Sequence, residues 1–489
     1  MNLRQDIHNL LLESGTGKMT NNAYDTAWIA RLVQLGQPVG EKALEWLREN
    51  QLADGSWGTK QPYYSHDRVI CTLAAMNALA RRGRVSDRNR LRRAEESLEK
   101  TTVDLKFDPA GETIGFELIV PTLLTEAQTL GGIHRDRVEI LRQLTPHRAA
   151  RMAALPNGIV NRFVTVAFSS EMAGPDGRYL LDVENLQEAN GSVGHSPSAT
   201  AYFALSVCRG DPAALDYLYN VVSFDGSAPN VAPFDVFEPA WVLWNLMLMD
   251  TWDNELLRLC QKHLDFLEAA WIPGKGIGHA ASYTPKDGDD TSLVYEVLTH
   301  FGRGVDLDAV QSYEHVYYYR CFDLESNPSI STNVHVLGAL RRAGLEIHHP
   351  SVQKVINFLR ETCEKGMFWY DKWHTSPYYA TSQAVIAAAG YVDKLVENAV
   401  NWIVQTQNTD GSWGYYIPTA EETAYCLQAL SIWRRYGYSV PENSISKGAM
   451  WLAENKDMPY PPLWIGKCLY CPELVVQSAV LSALSLTQV

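Results

Sequence analysis

The stretch QNTDGSWG at residues 407–414 recurs as QLADGSWG at 51–58 and QEANGSVG at 187–194. Each copy opens with Gln, closes with Gly and contains Asp or Asn followed by Gly-Ser. Before the first and third copies, EKALEWLREN (41–50) and VENAVNWIVQ (396–405) carry apolar residues three and four positions apart, the spacing of an amphipathic helix. Because an Asp/Asn-Gly-Ser step ends a helix in a turn, each repeat predicts a helix followed by a glycine turn.

A second apolar helix rich in small residues follows each turn: VICTLAAMNALA (69–80), PSATAYFALSV (197–207) and EETAYCLQALSI (421–432). Alternating runs typical of strands are sparse. The repeated unit is therefore helix, glycine turn, helix. Such hairpins stack in a line or close into a ring of inner and outer helices, so the sequence predicts an all-α protein.

Length and charge restrict the class of protein further. The 489 residues, 46% of them hydrophobic, predict two or three domains. A formal net charge of −14 argues against nucleic acid or an anionic membrane as the main partner. Residues 1–19 resemble neither a signal peptide nor a membrane span, so we expect a cytoplasmic protein. The eight cysteines, including the pair Cys468 and Cys471, fit reduced thiols better than a metal site.

Three carboxylates lie within four positions of the stretch PKDGDDTSL (285–293): Asp287, Asp289 and Asp290. Aligning DDTSLVYEVL (289–298) with EETAYCLQAL (421–430) puts this acidic cluster at the start of the second helix of a hairpin. If second helices line the inside of a ring, the cluster lies at one mouth of its central cavity. A simpler interpretation is that the three carboxylates form an acidic first helical turn, which the helix dipole stabilises.

Three chemistries compete as explanations of the acidic cluster. A calcium loop of the EF-hand type counted from Asp287 would need Glu at its twelfth position, where the chain has Leu298. A magnesium site that ionises a diphosphate would need a DDxxD pattern, which we do not find. A Brønsted acid must stay neutral and away from water, and neighbouring carboxylates help by raising one pKa, whereas the helix dipole opposes this.

Aromatic residues are concentrated near the segments that we expect to form a cavity. A strong acid that protonates an alkene produces a carbocation. Aromatic rings stabilise a carbocation through their faces, although many also fill helical cores. The candidates are Trp241, Trp244, Trp271, Tyr283, Trp369, Trp373, Tyr378 and Tyr379.

Five stretches in this order carry a resemblance to a known family: AYDTAWIARL (23–32), IGFELIVP (114–121), GSAPNVAPFDVFE (226–238), DGDD (287–290) and LWIGKCLY (463–470). With them the chain resembles class II diterpene cyclases over essentially its whole length, and most of all the bacterial halimadienyl (tuberculosinyl) diphosphate synthases. The resemblance implies two α/α-barrel domains in the βγ architecture, without the class I α domain. The β domain would comprise residues 1–18 and 222–489, and an inserted γ domain residues 19–221.

The resemblance also implies roles for particular residues. Asp289 would protonate the terminal alkene of geranylgeranyl diphosphate, with Asp287 and Asp290 holding and polarising it, and Asn333 would orient the acidic proton. The diphosphate would be retained in the product. Mg²⁺ would be held by acids that precede IGFE: Asp104, Asp108 and Glu112. Basic partners for the diphosphate would come from Arg148, Arg151, Lys372 and Lys467.

One departure from the family pattern concerns the final proton loss. Asn230 matches the Asn of a water-holding base dyad in copalyl-type members, whose partner is a His. The corresponding stretch here offers Phe168, Ser169 and Ser170 instead. Without that base, hydride and methyl shifts can precede proton loss, so we expect a rearranged halimadane or clerodane skeleton. His195 is a candidate late base or a structural histidine.

Several alternatives remain open from the sequence. The product could be of copalyl type, or a drimane-type diphosphate made from farnesyl diphosphate. A squalene-type triterpene cyclase would show more intact Gln-Trp repeats and need no diphosphate site. A non-catalytic helical-toroid binding protein would need only the turn repeats. For the cyclase, we expect a separate class I synthase or phosphatase to act downstream, and a homodimer is possible.

Overall fold

The computed structural model describes residues 2–133, 141, 143–250, 252–325 and 327–487. The described α-helices are α1 Leu3–Glu13, α2 Ala23–Ala30, α3 Pro38–Glu49, α4 Ser65–Arg82, α5 Arg88–Asp104, α6 Phe116–Thr129, α7 Leu144–Ala154, α8 Pro197–Tyr202, α9 Pro212–Val221, α10 Phe237–Leu246, α11 Asn254–Ala270, α12 Gly288–His300, α13 Asp308–Gln311, α14 Ile330–Arg342, α15 Pro350–Glu361, α16 Pro377–Ala388, α17 Glu397–Gln405, α18 Ala420–Arg435, α19 Glu442–Glu454 and α20 Glu473–Thr487. Two short antiparallel pairs join β1 Asn21–Asn22 to β2 Ala228–Pro229, and β3 Trp464–Ile465 to β4 Leu469–Tyr470.

The larger barrel is a closed ring of inner helices. Within the described residues, α10, α12, α14, α16, α18 and α20 each pack on the next, and α20 packs back on α10. The helices α1, α11, α15, α17 and α19 pack outside this ring. The inner helices are buried almost all round, as a helix must be when it faces both a central cavity and an outer layer.

The smaller barrel repeats this arrangement with a shorter ring. Its inner elements are α2, α4, α6, the 3₁₀ helix Thr165–Ala173 and α8, and α8 packs back on α2. The helices α3, α5, α7 and α9 pack outside. The prediction of an all-α chain with two α/α barrels is therefore confirmed.

The glycine-turn repeats connect an outer helix to the next inner helix. In two of them the Trp side chain is fully buried, and its Nε1–H donates to a carbonyl at the end of the preceding helix: Trp57 to Leu47 and Trp413 to Ile403, both at 2.7 Å. The repeat's first Gln bridges its own turn to the following outer segment, as Gln407 does by donating to Gly411 O and Ser444 O. The repeat thus fixes helix ends by satisfying backbone carbonyls that a helix leaves unpaired.

Two hydrophobic cores accompany the two barrels. One core combines residues within 7–19 and 231–484, and the other combines residues within 23–218 with Ala228 and Cys468. The N-terminal segment is attached to the larger barrel by the buried carboxylate of Glu238, which accepts from the backbone N–H groups of Gly15, Gly17 and Lys18 at 2.7–3.0 Å. The exact domain boundaries, 1–18 plus 222–489 and 19–221, stay a prediction.

The hydrophobic helices belong to these cores. Across the described ranges, no helix combines the length and the apolar character needed to cross a bilayer.

Candidate active site

A cavity of about 420 Å³ lies between the two barrels. The smaller barrel contributes residues of the IGFE segment and of the 3₁₀ helix Thr165–Ala173, and the larger barrel contributes the acidic cluster and the β3–β4 hairpin. Its size is within the range of small-molecule sites in proteins. Its lining residues include Glu117, Arg151, Phe168, Ser169, Asn230, Phe234, Phe237, His279, Tyr283, Asp287, Asp289, Asp290, Trp373, Tyr379, Trp464, Gly466 and Tyr470.

The acidic cluster lies at the start of inner helix α12, as the repeat alignment predicts. Asp287 is the N-cap, and its Oδ1 accepts from the backbone N–H of Asp290 at 2.7 Å. Gly288 is required here because a Cβ atom would lie 2.5 Å from the carbonyl oxygen of Arg320. The cluster is thus fixed by a capping contact and a close backbone approach.

Burial favours the neutral form of two of the three carboxyls. Burial, together with the neighbouring Asp289, raises the pKa of Asp287 to about 7. The pKa of Asp290 is raised well above its ordinary value, first by burial and then by its two acidic neighbours. Asp290 Oδ1 also has no hydrogen-bond partner among the described residues. The local loss of solvation therefore outweighs the helix dipole, which alone would favour charged carboxylates.

Asp289 differs from Asp287 and Asp290 because its carboxyl contacts a histidine. Its Oδ1 lies 2.7 Å from Nδ1 of His335, whose side chain is 1% exposed, while the Asp289 side chain is 13% exposed. We assign the shared proton to Nδ1, so that the imidazole N–H of His335 donates and Asp289 Oδ1 accepts. That contact occupies Oδ1 and leaves Oδ2 of this cavity-lining residue for another partner.

Asn333 makes no hydrogen bond to Asp289 in the described structure, so the prediction that Asn333 orients the acidic proton is wrong. The side-chain amide of Asn333 donates to the carbonyls of Tyr319 and Ser329, and its Oδ1 accepts from the backbone N–H of Tyr319. These contacts anchor the loop before α14. The physical reason is the helical period: Asn333 and His335 are two positions apart, so they face different directions.

The aromatic wall is only partly the predicted one. Tyr283, Trp373 and Tyr379 line the cavity. Trp241 and Trp244 lie next to the acid: the rings of both pack against His335, with centroids 4.9 and 6.3 Å from it. Phe234, Phe237, Trp464 and Tyr470, which were not predicted, complete the wall.

Three predicted aromatic residues have structural roles instead and do not line the cavity. Trp369 Nε1–H donates to Leu359 O at 2.7 Å, the same contact that Trp57 and Trp413 make, so it marks a degenerate turn repeat. Trp271 donates to Asp306 at 2.9 Å. Tyr378 stacks on Trp402 with ring centroids 4.8 Å apart.

Of the four predicted diphosphate ligands, only Arg151 lines the cavity. It is paired with Glu117, which also lines the cavity. Arg148 instead lines a second cavity in the smaller barrel, where it donates to the carbonyls of Met172 and Ala173. Lys372 is paired with Glu325.

Lys467 is excluded as a diphosphate ligand by its own hydrogen bonds. Its fully buried Nζ donates to Glu171 Oε1 at 2.6 Å and to the hydroxyls of Ser196 and Ser198 at 2.7 Å. An ammonium has three donors, so none is left for a diphosphate. Lys467 joins the β3–β4 hairpin to the smaller barrel.

The three predicted magnesium ligands do not converge. Asp104 accepts from the Tyr63 hydroxyl at 3.2 Å, and Asp108 Oδ2 contacts both the backbone N–H and the ring of His66 at 2.8 and 2.6 Å. Glu112 is exposed. A magnesium ion needs several oxygen ligands at about 2.0–2.1 Å around one point, which these acids do not offer. The residues present do not fit the ion in this arrangement, and Mg²⁺ itself stays a prediction.

Across the described part of the chain, only one group of three or more side chains has potential ligand atoms within 4.8 Å of one another: Asp67, Cys71 and Cys468. Burial raises the pKa of both thiols, that of Cys71 to about 11, which favours reduced and protonated cysteines. The Cys468 thiol thus lies beside Cys71 of the smaller barrel.

Asn230 lies at the cavity, as the resemblance implies. Its Nδ2 donates to Asp25 Oδ2 at 3.2 Å, and its Oδ1 lies so close to Gly466 that a Cβ there would be 1.8 Å away. Phe168 and Ser169 line the same cavity. The side-chain hydrogen bonds of Asn230 in the described residues go to Asp25 and Cys468, and neither partner is an imidazole.

Two functional candidates were missed, His335 and His279. His335 follows Asn333 by two positions in STNVHVLG, and His279 lies in GIGHAASY just before the acidic cluster. A signal was present for His335, because an imidazole on an inner helix faces the adjoining helix. Nothing in the local sequence distinguished His279 from the other histidines of the chain.

Comparisons with known proteins find similarity to terpene cyclases. Residues 313–440 match the squalene-hopene cyclase C-terminal domain. The chain is 45% identical to a Type B diterpene cyclase of Mycobacterium tuberculosis, over 98% of both chains. It is 29% identical to an ent-copalyl diphosphate synthase of a Streptomyces species, over 99% of this chain and 95% of that protein. The solved ent-copalyl diphosphate synthase from Streptomyces platensis superimposes with a TM-score of 0.82 at 28% identity, covering 100% of both chains.

Proposed function

The chain belongs to the class II diterpene cyclases, which are isomerases, and from this premise we propose that it converts geranylgeranyl diphosphate into a rearranged bicyclic diterpenyl diphosphate. We propose a halimadane or clerodane skeleton. The observation that carries the proposal is the contact between His335 and Asp289 in a cavity with aromatic walls.

The first step is proton transfer from Asp289 to the terminal alkene. Oδ2 gives its proton to the less substituted alkene carbon, and the tertiary cation that forms is attacked by the next double bond, which closes the rings. As Asp289 becomes a carboxylate, the hydrogen bond from His335 strengthens because it becomes charge-assisted. His335 therefore stabilises the transition state more than the neutral ground state.

The cation is held by the cavity wall. Phe237, Trp464 and Tyr379 present aromatic rings to the cavity. Such rings attract a positive charge through their faces, by about 2 kcal/mol or more when water is excluded. Lining carboxyls that stay neutral, as burial favours for Asp290, do not trap the cation prematurely.

The rearranged skeleton rests on the surroundings of Asn230. Where a His–Asn pair holds a water, the first bicyclic cation loses its proton at once. Here Asn230 contacts Asp25 and Cys468, and Phe168 and Ser169 occupy the neighbouring wall. We propose that the cation survives long enough for hydride and methyl shifts.

The diphosphate is kept in the product in this proposal. Arg151 and Glu117 are the charged residues that the smaller barrel presents to the cavity within the described ranges, so we place the diphosphate on their side. Mg²⁺ is proposed as an accompanying ion, although no step above depends on it. A separate class I synthase or phosphatase would consume the product, and we propose the cytoplasm as the location. A homodimer also remains a proposal.

The experiment is a product analysis. Purified protein and its Asp289→Asn variant are incubated with geranylgeranyl diphosphate and Mg²⁺, the products are dephosphorylated, and the alcohols are identified by mass spectrometry and NMR. We expect a rearranged bicyclic alcohol from the native protein and none from the variant. Copalol would refute the rearranged skeleton while keeping Asp289 as the acid.

Substrate length is tested in the same assay. If geranylgeranyl diphosphate is returned unchanged and farnesyl diphosphate gives a drimane-type alcohol, the proposed C20 substrate is wrong. If neither is converted, the catalytic proposal fails and the helical-toroid binding protein becomes the better interpretation.

A further inference from the structure

The reaction proposed above needs a group that takes the last proton, and the cavity offers few. Among its described lining residues, the carboxyls are Glu117, which is paired with Arg151, and the three aspartates of the acid cluster. The carboxylate left on Asp289 lies where the terminal alkene is protonated, and ring closure carries the final cation away from that position. The imidazole of His279 is the remaining side chain with a basic nitrogen in this part of the wall.

His279 is held in place by its backbone and by aromatic neighbours. Its carbonyl accepts from the N–H groups of Val236 and Phe237 at 3.2 and 3.0 Å, at the start of inner helix α10. Its ring lies 4.2 Å from Tyr283 and 6.1 Å from Phe234, measured between centroids, and both neighbours line the cavity. A cation near these faces therefore lies near the imidazole too.

A second histidine, His195, is linked to His279 through one ring nitrogen of each residue. His279 Nε2 lies 3.2 Å from Nδ1 of His195, and His195 Nε2 lies 3.3 Å from the hydroxyl of Ser282. If each imidazole carries its proton on Nε2, His279 donates to His195 and His195 donates to Ser282. This arrangement leaves the lone pair of His279 Nδ1 without a hydrogen bond inside the described structure.

We propose that His279 is the catalytic base that takes the last proton, and that His195 is a positioning residue that fixes its tautomer. This inference rests on the function proposed above. A C–H bond next to the final cation breaks, its electron pair becomes the C=C bond of the product, and the proton bonds to Nδ1, which makes His279 an imidazolium.

The surroundings of both histidines favour the neutral imidazole before this step. Burial lowers the pKa of His279 well below its ordinary value and that of His195 to about 3, and the cation of Lys286 adds to both shifts. His279 is therefore neutral before turnover, as a base must be. A carbocation is acidic enough to protonate even a weakly basic imidazole, and the low pKa then returns the proton to water.

The strain at His195 supports a defined position for it. His195 is fully buried and its φ of +56° is in the left-handed region, which a non-glycine residue rarely adopts. Its carbonyl accepts from Ala232 N–H at 2.9 Å. The sequence-based prediction of His195 as a late base is thereby modified: it lies behind His279 and does not line the cavity.

The test compares His279→Gln with the native protein and with His263→Gln. His263 is a matched control because it is also buried and bonded, to Leu11 O at 2.8 Å, but lies outside the cavity. Substrate consumption and the position of the product double bond are measured separately with geranylgeranyl diphosphate. Because a positioned base contributes about 10²–10⁴-fold, the share of the native double-bond isomer should fall at least about tenfold in His279→Gln.

The outcomes separate this inference from the proposed function. Continued substrate consumption with other double-bond isomers or a water-captured alcohol supports His279 as the base. The native isomer as the sole product of His279→Gln overturns it, as does a folded variant that consumes no substrate, because the base acts after protonation. If native protein and control are also inactive, the proposed substrate fails and the inference fails with it.

A second variant, His195→Asn, tests the inference independently if His279→Gln does not fold. His195→Asn suits the left-handed backbone at this position, since Asn tolerates it. It should redistribute the product isomers partially without abolishing turnover. An unchanged isomer distribution in a folded His195→Asn protein contradicts the positioning role, since a purely structural residue would alter stability alone.

Discussion

Replacing His335 by Phe tests the central contact of the site. The change keeps a ring against Trp241 and removes the donor to Asp289 Oδ1, which lies at 2.7 Å. A hydrogen bond between neutral groups contributes about 0.5–1.5 kcal/mol, and one to a charged group about 1.5–3 kcal/mol. In the proposed mechanism, Asp289 is neutral before proton transfer and becomes a carboxylate after it. The transition state should therefore lose about 1–2 kcal/mol more than the ground state.

This difference predicts that kcat falls roughly 5- to 30-fold in His335→Phe. KM should change little, because His335 is buried behind Asp289 and is not a lining residue of the cavity. The assay is steady-state turnover of geranylgeranyl diphosphate, measured by mass spectrometry of the dephosphorylated product. His263→Phe is the control, since it also removes the hydrogen bond of a buried histidine.

Two results would refute the reasoning. One is a kcat within about twofold of the native value, which would mean that the bond contributes equally before and after proton transfer. The other is an equal loss in His263→Phe, which would attribute the effect to general destabilisation. Thermal unfolding of all three proteins distinguishes the second case.

Three further predictions concern the framework of the site. Lys467→Met leaves the buried Glu171 without its cation and should lower the free energy of unfolding by about 3–5 kcal/mol, whereas adding Glu171→Gln should restore most of it in guanidinium unfolding. Gly466→Ala introduces a Cβ 1.8 Å from Asn230 Oδ1, and a displacement of this size should reduce product formation by up to about 10²-fold in the turnover assay. The pKa of Asp287 is raised to about 7 while an unfolded Asp titrates near 3.9, so the stability that its protonated form contributes is complete below about pH 4 and is lost as pH rises to about 7. Urea unfolding at several pH values should show a smaller decline in Asp287→Asn.

The architecture was predictable from the sequence because its signals are local. The Gln-to-Gly frame of 407–414 contains a helix end, a turn and a tryptophan whose partner carbonyl lies ten residues earlier. The position of the acidic cluster at the start of an inner helix followed from aligning two repeats. Both inferences depend on contacts within one hairpin, which neighbouring residues determine.

Predictions of individual site residues were less successful where the partner lies far along the chain. Lys467 matched the expected charge for a diphosphate ligand, yet Glu171, 296 positions away, takes up its ammonium group. Asn333 matched the expected type, and His335 on the same helix makes the contact. Residue type and sequence position do not reveal which direction a buried side chain faces.

The amino-acid sequence alone therefore established the repeated helical hairpin, the all-α class and the acid cluster, since each depends on short-range periodicity and turn chemistry. Tertiary structure decided which side chains meet. Ring closure places α12 beside α14, so that His335 reaches Asp289, and the meeting of the two barrels brings His195 to His279. These contacts depend on the packing of elements that are distant in the chain. Burial in the packed structure, and not the adjacent residues in the sequence, determines which groups are protonated and which hydrogen-bond partners they have.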